Sequence, residues 1–349
     1  MTPMFAKFLP VRTLLLCSLA LTSAIPGAAV AQTASDMHAG DLPPAFVRDQ
    51  VRAPLVMPAP AVLQTTGAAF AMPQSLTLRW SSPPTPLLLR AVERLSTRLG
   101  ILADRTIPVT DAPATQGGLE LRIHMEKDAA FPGPAMRESY VLDVAPTGIT
   151  LNAQGPAGVL HGLTSLTQLV RQELDGPVLA QAHIEDTPRF AWRGLMLDTS
   201  RHFMPLPDVL RQLDAMEMVK LNVLHLHLSD GAAFRVESKK FPRLHTIGGH
   251  NAYYTQEQIR LLVREATDRG IRVVPEFDTP GHSYAMLLAY PRYAANLPLN
   301  TTDRAEINRA ALDPTNPATL NFVNAVYAEM ATLFPDPVSY THLTLPTIL

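Results

Sequence analysis

The sequence predicts an α/β protein in which a small α+β domain precedes an incomplete (β/α)8 barrel. Two observations support this prediction. Up to about residue 185, alternating and helical segments follow one another in no regular order, which is typical of an α+β domain. From about residue 186, strands and helices alternate, and polar residues follow each strand, as they do at the carboxyl face of a barrel.

The α+β domain is predicted over residues 61–185. Alternation of apolar and polar residues indicates its strands, and apolar residues at helical spacing indicate its helices. The predicted strands are 75–78, 119–123, 140–144 and 149–151, and the predicted helices are 87–99 and 157–174. No constellation of catalytic residue types stands out in this half of the chain.

The barrel part is predicted over residues 186–338. The predicted strands are 194–198, 222–228 and 271–277, and the predicted helices are 207–220, 255–270 and 318–333. Thr255 and Gln258 have the spacing of a helix capping box. Because a closed barrel needs eight strand–helix units and about 250 residues, three units predict an incomplete one.

Two segments before these domains are predicted to serve other purposes. Residues 1–31 have the pattern of a secretory signal peptide, with Lys7 and Arg12 at its start and small residues at its end. This pattern predicts export to the periplasm or the medium. Residues 32–60 are rich in Pro and Ala and are predicted to form an extended lead-in.

Composition argues against several classes of partner. Once the two basic residues of the signal are removed, the 29 basic residues fall to 27, against 31 acidic residues. No cluster of Lys or Arg stands out, which disfavours nucleic acid and anionic membranes as partners. No apolar run reaches the length of a transmembrane helix. The single cysteine, Cys17, lies in the signal, so we expect a mature chain without disulfides.

Polar residues gather where each predicted barrel strand ends. They are Asp198 and Arg201 after the first strand, His225, His227 and Asp230 on and after the second, and Glu276, Asp278 and His282 on and after the third. Because side chains alternate along a strand, His225 and His227 face away from the leucines that flank them. Turn residues at 279–281 predict that His282 folds back toward Asp278, and an Asp beside a His fixes the imidazole tautomer.

This chemistry permits two kinds of site. His225 and His227 have the spacing of a metal-ligand pair. Alternatively, Asp278 and His282 belong to an acid/base site in which Arg201 binds hydroxyl groups or a carboxylate. For the two strand histidines, a polar layer inside the barrel is the favoured interpretation. For Arg201, Asp230, Asp278 and His282, which converge on one face of the predicted barrel, a functional role is favoured.

Three blocks of sequence resemble a known family. They are RGLMLDTSRHF at 193–203, NVLHLHLSD at 222–230 and PEFDTPGH at 275–282. Together and in this order they resemble glycoside hydrolase family 20, the β-N-acetylhexosaminidases. The segments YVLDV at 140–144 and AGVLHGLTSL at 157–166 resemble the small α+β domain that precedes the barrel of that family.

The resemblance implies an exo-acting hydrolase that releases terminal β-linked N-acetylglucosamine or N-acetylgalactosamine from oligosaccharides or glycoconjugates with retention. In this family the 2-acetamido oxygen of the substrate attacks C1, and no enzyme carboxylate is the nucleophile. By position, Arg201 is implied to bind the 3- and 4-hydroxyls of the terminal sugar, and Asp230 to line the pocket. Asp278 and His282 are implied to form a dyad that supports the general acid. No metal and no cofactor is implied. Gly231 departs from the family pattern, since many members have a second Asp there.

The resemblance also implies an adjacent Asp-Glu pair in a His-x-Gly-Gly-Asp-Glu motif on the fourth strand. Asp336 is the last acidic residue, and no Gly-Gly follows it. We therefore expect an inactive N-terminal fragment of the enzyme, with a non-native tail at residues 339–349. Two alternatives remain open: a non-catalytic sugar-binding protein, and a metal-dependent barrel hydrolase that uses His225 and His227.

Overall fold

The computed structural model describes residues 56–113, 116–127, 131, 133–295 and 310–334. The predicted signal peptide, most of the predicted lead-in, Asp336 and the predicted tail lie outside these residues. Within the described part, no helix has both the length and the apolar content that crossing a bilayer requires.

The first lobe, residues 56–186, is built on a seven-stranded mixed sheet. The described strands of this lobe, which belong to two sheets, are β1 (Val62–Gln64), β2 (Ala69–Ala71), β3 (Leu76–Trp80), β4 (Val109–Thr110), β5 (Leu119–Met125), β6 (Tyr140–Ala145), β7 (Gly148–Ala153), β8 (Val170–Glu173), β9 (Gly176–Ala180) and β10 (Ala182–Asp186). The larger sheet has the order β1-β10-β6-β7-β5-β3-β4, and β2, β9 and β8 form a smaller antiparallel sheet. Two helices, α1 (Pro86–Ala103) and α2 (Pro156–Gln168), share one apolar core with these strands.

Local sequence explains where α1 begins. Thr85 accepts a hydrogen bond from the backbone N–H of Leu88, and Pro86 occupies the first turn, where a missing N–H costs nothing.

The helix predicted at 157–174 was too long, because α2 ends at Gln168 and the following residues form β8. Gly176, with φ of 116°, permits the tight turn that pairs β8 with β9.

The second lobe, residues 190–334, contains a parallel sheet in the order β11-β12-β13 with helices between the strands. Its elements are β11 (Gly194–Asp198), α3 (Leu206–Met218), β12 (Val223–Ser229), α4 (Arg243–Thr246), α5 (Gln256–Thr267), β13 (Arg272–Phe277), α6 (Tyr284–Ala289) and α7 (Pro317–Met330). All three predicted strands and all three predicted helices are present, with ends that differ by a few residues. The mixed α/β class is therefore confirmed. The short helices α4 and α6 were not predicted.

The two faces of β12 differ in character, as the alternation predicted. Leu224, Leu226 and Leu228 are fully buried in a core that includes apolar residues of α3 and α5. His225 and His227 lie on the opposite face. The Thr255–Gln258 capping box at the start of α5 is also formed.

Buried ion pairs join the two lobes. Glu217 on α3 accepts hydrogen bonds from Arg94 and Arg98 on α1, at 2.8 and 2.5 Å, and its side chain is 5% exposed. Lys220 donates to Asp186 at 2.9 Å, and its side chain is also buried. Since a buried charge without its partner is costly, these contacts couple the lobes energetically.

Candidate functional site

The candidate site lies where β11, β12 and β13 end. The parallel register places Asp198 beside His227, and His227 beside Glu276. Because parallel strands end at the same edge of a sheet, the loops that follow them meet above these three side chains. The polar residues that the sequence analysis singled out therefore come together in one place.

Arg201 is held between two carboxylates. Asp198 accepts hydrogen bonds from the backbone N–H and from the guanidinium of Arg201, at 2.9 and 2.5 Å. On the other side, Arg201 Nη2 lies 2.7 Å from Asp230 Oδ2. Burial raises the pKa of Asp198, but the hydrogen bonds from Arg201 outweigh it and hold that pKa below its usual value. The Arg201 side chain is 53% exposed, so part of it remains open to solvent.

Asp230 contacts four of the residues that form the site. Its buried carboxylate is approached by Arg201, by His227 Nε2 at 3.0 Å and by the backbone N–H of Gly231 at 2.5 Å. His282 Nδ1 lies 3.3 Å from Asp230 Oδ1. His282 also lies close enough to Asp278 for its charge to lower the pKa of that carboxyl, but its hydrogen bond is to Asp230. His282 has a left-handed backbone conformation, with φ of 54°.

Glu276 and Asp278 are neighbouring acids that interact at the end of β13. Glu276 Oε2 lies 2.5 Å from His225 Nε2 and 2.8 Å from His227 Nδ1. Burial raises the pKa of Glu276, but the adjacent His227 ring, together with Asp278 and His225, outweighs burial and lowers that pKa overall. Burial and the hydrogen bond with Glu276 raise the pKa of Asp278 to about 6. A carboxyl that titrates near pH 6 suits a group that supports acid/base chemistry.

A cation could meet three ligand atoms here, but the arrangement does not favour one. One atom each of His227, Asp230 and Asp278 lie within 4.8 Å of one another. The Asp230 oxygen already interacts with Arg201 and His227, so a metal would have to displace both interactions. His225 does not belong to this group among the described residues; its Nε2 lies 2.5 Å from Glu276 Oε2, and His227 Nδ1 lies 2.8 Å from the same oxygen.

Arg235 supports the site and was not singled out from the sequence. Its buried guanidinium donates to the backbone carbonyls of Thr199 and Ser200, both at 2.8 Å. It also donates to the carbonyls of Gly249 and Ala252. These bonds fix the loop that carries Arg201. An isolated Arg gives no local signal for such a role, because all four carbonyls come from other loops.

Two family models match the chain in succession. The model of glycosyl hydrolase family 20, domain 2, matches residues 53–187. The model of the glycosyl hydrolase family 20 catalytic domain matches residues 190–344. The two matches have the order that the sequence motifs predict.

Individual relatives agree with these models. A beta-hexosaminidase of Vibrio furnissii is 36% identical over 218 residues, which are 57% of this chain and 36% of that protein. The structure of Flavobacterium johnsoniae chitobiase superposes with a TM-score of 0.72 at 35% identity, over 80% of this chain and 43% of that one. Streptomyces plicatus N-acetyl-beta-hexosaminidase, solved in complex with Thio-NAglucal, gives a TM-score of 0.68 at 32% identity, over 80% and 57%. The chain thus spans 36–57% of the length of these relatives.

Proposed function

The chain belongs to glycoside hydrolase family 20, and on that premise we propose that the product of the complete gene is an exo-acting β-N-acetylhexosaminidase. It releases terminal N-acetylglucosamine or N-acetylgalactosamine by substrate-assisted, retaining hydrolysis. The observation that carries the proposal is the pairing of Arg201 with Asp230, at 2.7 Å, at the carboxyl ends of adjacent parallel strands.

The Arg201–Asp230 pair is suited to a sugar with neighbouring hydroxyl groups. A guanidinium presents several N–H donors in a fixed plane, and here two carboxylates, Asp198 and Asp230, hold that plane in place. The exposed edge of Arg201 then donates to the 3- and 4-hydroxyls of a terminal sugar. Asp230 accepts from a hydroxyl in turn. Because these positions were set before binding, little ordering entropy is lost.

The acid/base step requires groups that this sequence does not contain. No Asp is followed directly by Glu anywhere in the 349 residues. We therefore propose that this chain contains the sugar-binding and supporting residues of the site, and that it lacks the Asp that orients the acetamido group and the Glu that protonates the leaving group. Asp278 and His282 then support a general acid that is not among the residues of this chain.

Arg201→Ala tests the proposed sugar contact in the complete protein. We expect the inhibition constant for N-acetylglucosamine to rise about ten- to a hundredfold, since hydrogen bonds to charged groups contribute about 1.5–3 kcal/mol. The inhibition constant is measured from the competitive inhibition by N-acetylglucosamine of the hydrolysis of 4-nitrophenyl β-N-acetylglucosaminide.

Arg211→Ala is the matched control. Arg211 is exposed and forms an ion pair with Asp208 on the surface of α3, so this variant should leave the inhibition constant unchanged. Equal inhibition constants for wild type and Arg201→Ala would refute the assignment of Arg201. Hydrolysis that depends on added zinc would instead support the metal-dependent alternative.

A further inference from the structure

His227 lies on β12 with its ring between two carboxylates from different parts of the fold. Its Nε2 is 3.0 Å from Asp230 Oδ2, in the loop after β12. Its Nδ1 is 2.8 Å from Glu276 Oε2, on β13. The side chain is only 4% exposed. The ring therefore bridges two elements of the site from below, out of contact with bulk solvent.

These two carboxylates determine the charge of the ring. A neutral imidazole has one N–H, and its other nitrogen presents a lone pair. In a neutral His227, the nitrogen with the lone pair would lie beside the carboxylate of either Asp230 or Glu276. The lone pair and the carboxylate would repel each other, and solvent screens this repulsion little at a buried site. Protonation of both nitrogens gives Asp230 a hydrogen-bond donor, and it places a positive charge 2.8 Å from Glu276 Oε2, an ion-pair contact rather than an aligned hydrogen bond. In agreement, burial lowers the pKa of His227, but the nearby carboxylates of Glu276 and Asp230 outweigh burial and raise that pKa overall.

The charged groups around His227 also favour a positive charge on its ring. The titratable and charged groups that face the ring from β11, β12, β13 and their loops are Asp198, Arg201, His225, Asp230, Glu276, Asp278 and His282. Four of them are carboxyl groups, and one, the guanidinium, is a permanent cation. An imidazolium between the carboxylates reduces this excess of negative charge.

We propose that His227 is a positioning residue, a buried imidazolium that holds Asp230 and Glu276 in place beneath the sugar-binding guanidinium of Arg201. This inference rests on the proposed function of the same site. His227 acts through Asp230, whose Oδ2 it shares with Arg201. Its charge also favours ionisation of Asp278, whose pKa it lowers against the opposing effects of burial and Glu276.

The first test measures the charge of the ring directly, in the purified chain labelled with ¹⁵N-histidine. Long-range ¹H–¹⁵N spectra across pH 5 to 9 are expected to show His227 with both nitrogens protonated at pH 7, and assignment follows from the signals lost in His227→Asn. A ring with one unprotonated nitrogen at pH 7 would overturn the proposal. This readout requires no sugar, so it stands even if the complete protein proves inactive on N-acetylglucosaminides.

The second test measures what the charge does. In His227→Asn we expect the titration of the Asp278 carboxyl, followed by ¹³C NMR, to move upward from about 6. In the complete protein we expect KM for the chromogenic substrate to rise on the order of tenfold, because Asp230 loses a charge-assisted hydrogen bond. A purely structural role would not move the Asp278 titration.

His183→Asn is the matched control for both measurements. His183 also lies between two carboxylates, with Nδ1 2.6 Å from Asp143 and Nε2 3.0 Å from Glu185. It belongs to the first lobe and its side chain is 31% exposed. Its removal should leave both the Asp278 titration and KM unchanged. If His227→Asn behaves like His183→Asn, the proposal is wrong.

Discussion

Purified residues 32–349 are expected to show no detectable turnover of 4-nitrophenyl β-N-acetylglucosaminide, whereas the product of the complete gene should hydrolyse it readily. General acid–base catalysis alone contributes about 10²–10⁴-fold, and orientation of the acetamido nucleophile adds to that. Both depend on an adjacent Asp-Glu pair that the 349 residues lack. Continuous spectrophotometric assays at equal protein concentration compare the two forms.

The matched control for this comparison is the complete protein with the Glu of its Asp-Glu pair changed to Gln. It keeps the fold and the sugar-binding residues, and it should be as inactive as the shorter chain. Turnover by residues 32–349 at a rate comparable to the complete protein would contradict the proposal. It would mean that acids within the chain, such as Asp278, perform the chemistry themselves.

Glu217→Ala is expected to destabilise the chain by about 3–5 kcal/mol, the cost of removing one partner from a buried ion pair. Glu217 accepts from Arg94 and from Arg98, and its loss leaves two guanidinium groups of α1 without their shared partner at the junction of the lobes. Because those groups belong to the first lobe and Glu217 to the second, the variant tests the energetic coupling of the lobes. Urea denaturation followed by far-UV circular dichroism measures the free energy of unfolding.

Glu93→Ala provides the control for Glu217→Ala. Glu93 lies on α1 beside these arginines but is exposed, so its removal should change the free energy of unfolding by no more than about 0.5 kcal/mol. Glu217→Gln should fall between the two, because it keeps the shape and an acceptor but loses the charge. If Glu217→Ala is no less stable than Glu93→Ala, the buried pairs do not couple the lobes.

Local patterns were sufficient to predict most of the second lobe. The strand predicted at 194–198 has the same bounds in the structure, because apolar residues and a terminal Asp mark it within five residues. The capping box at the start of α5 could likewise be predicted from Thr255 and Gln258, which are three positions apart. The error at the end of α2 has a non-local cause. Residues 170–173 become a strand because they pair with β9, and their own sequence does not distinguish a strand from a helix.

The candidate site was predictable in its membership but not in its contacts. Alternation along the strands and the order of the polar residues placed Arg201 and Asp230 at one edge of the sheet. The partner of His282 was not predictable, because it depends on a left-handed backbone at that residue and on Asp230, 52 residues earlier in the chain. The same limit applies to Arg235, whose hydrogen bonds reach back 36 residues to Thr199.

The most direct measurement compares two substrates of the complete protein that differ at one position of the sugar. One is 4-nitrophenyl β-N-acetylglucosaminide, and the other is 4-nitrophenyl β-glucoside, in which a hydroxyl replaces the acetamido group. Since the acetamido oxygen is the proposed nucleophile, only the first should be hydrolysed at a measurable rate. Comparable hydrolysis of the glucoside would contradict a substrate-assisted β-N-acetylhexosaminidase built on the Arg201–Asp230 site.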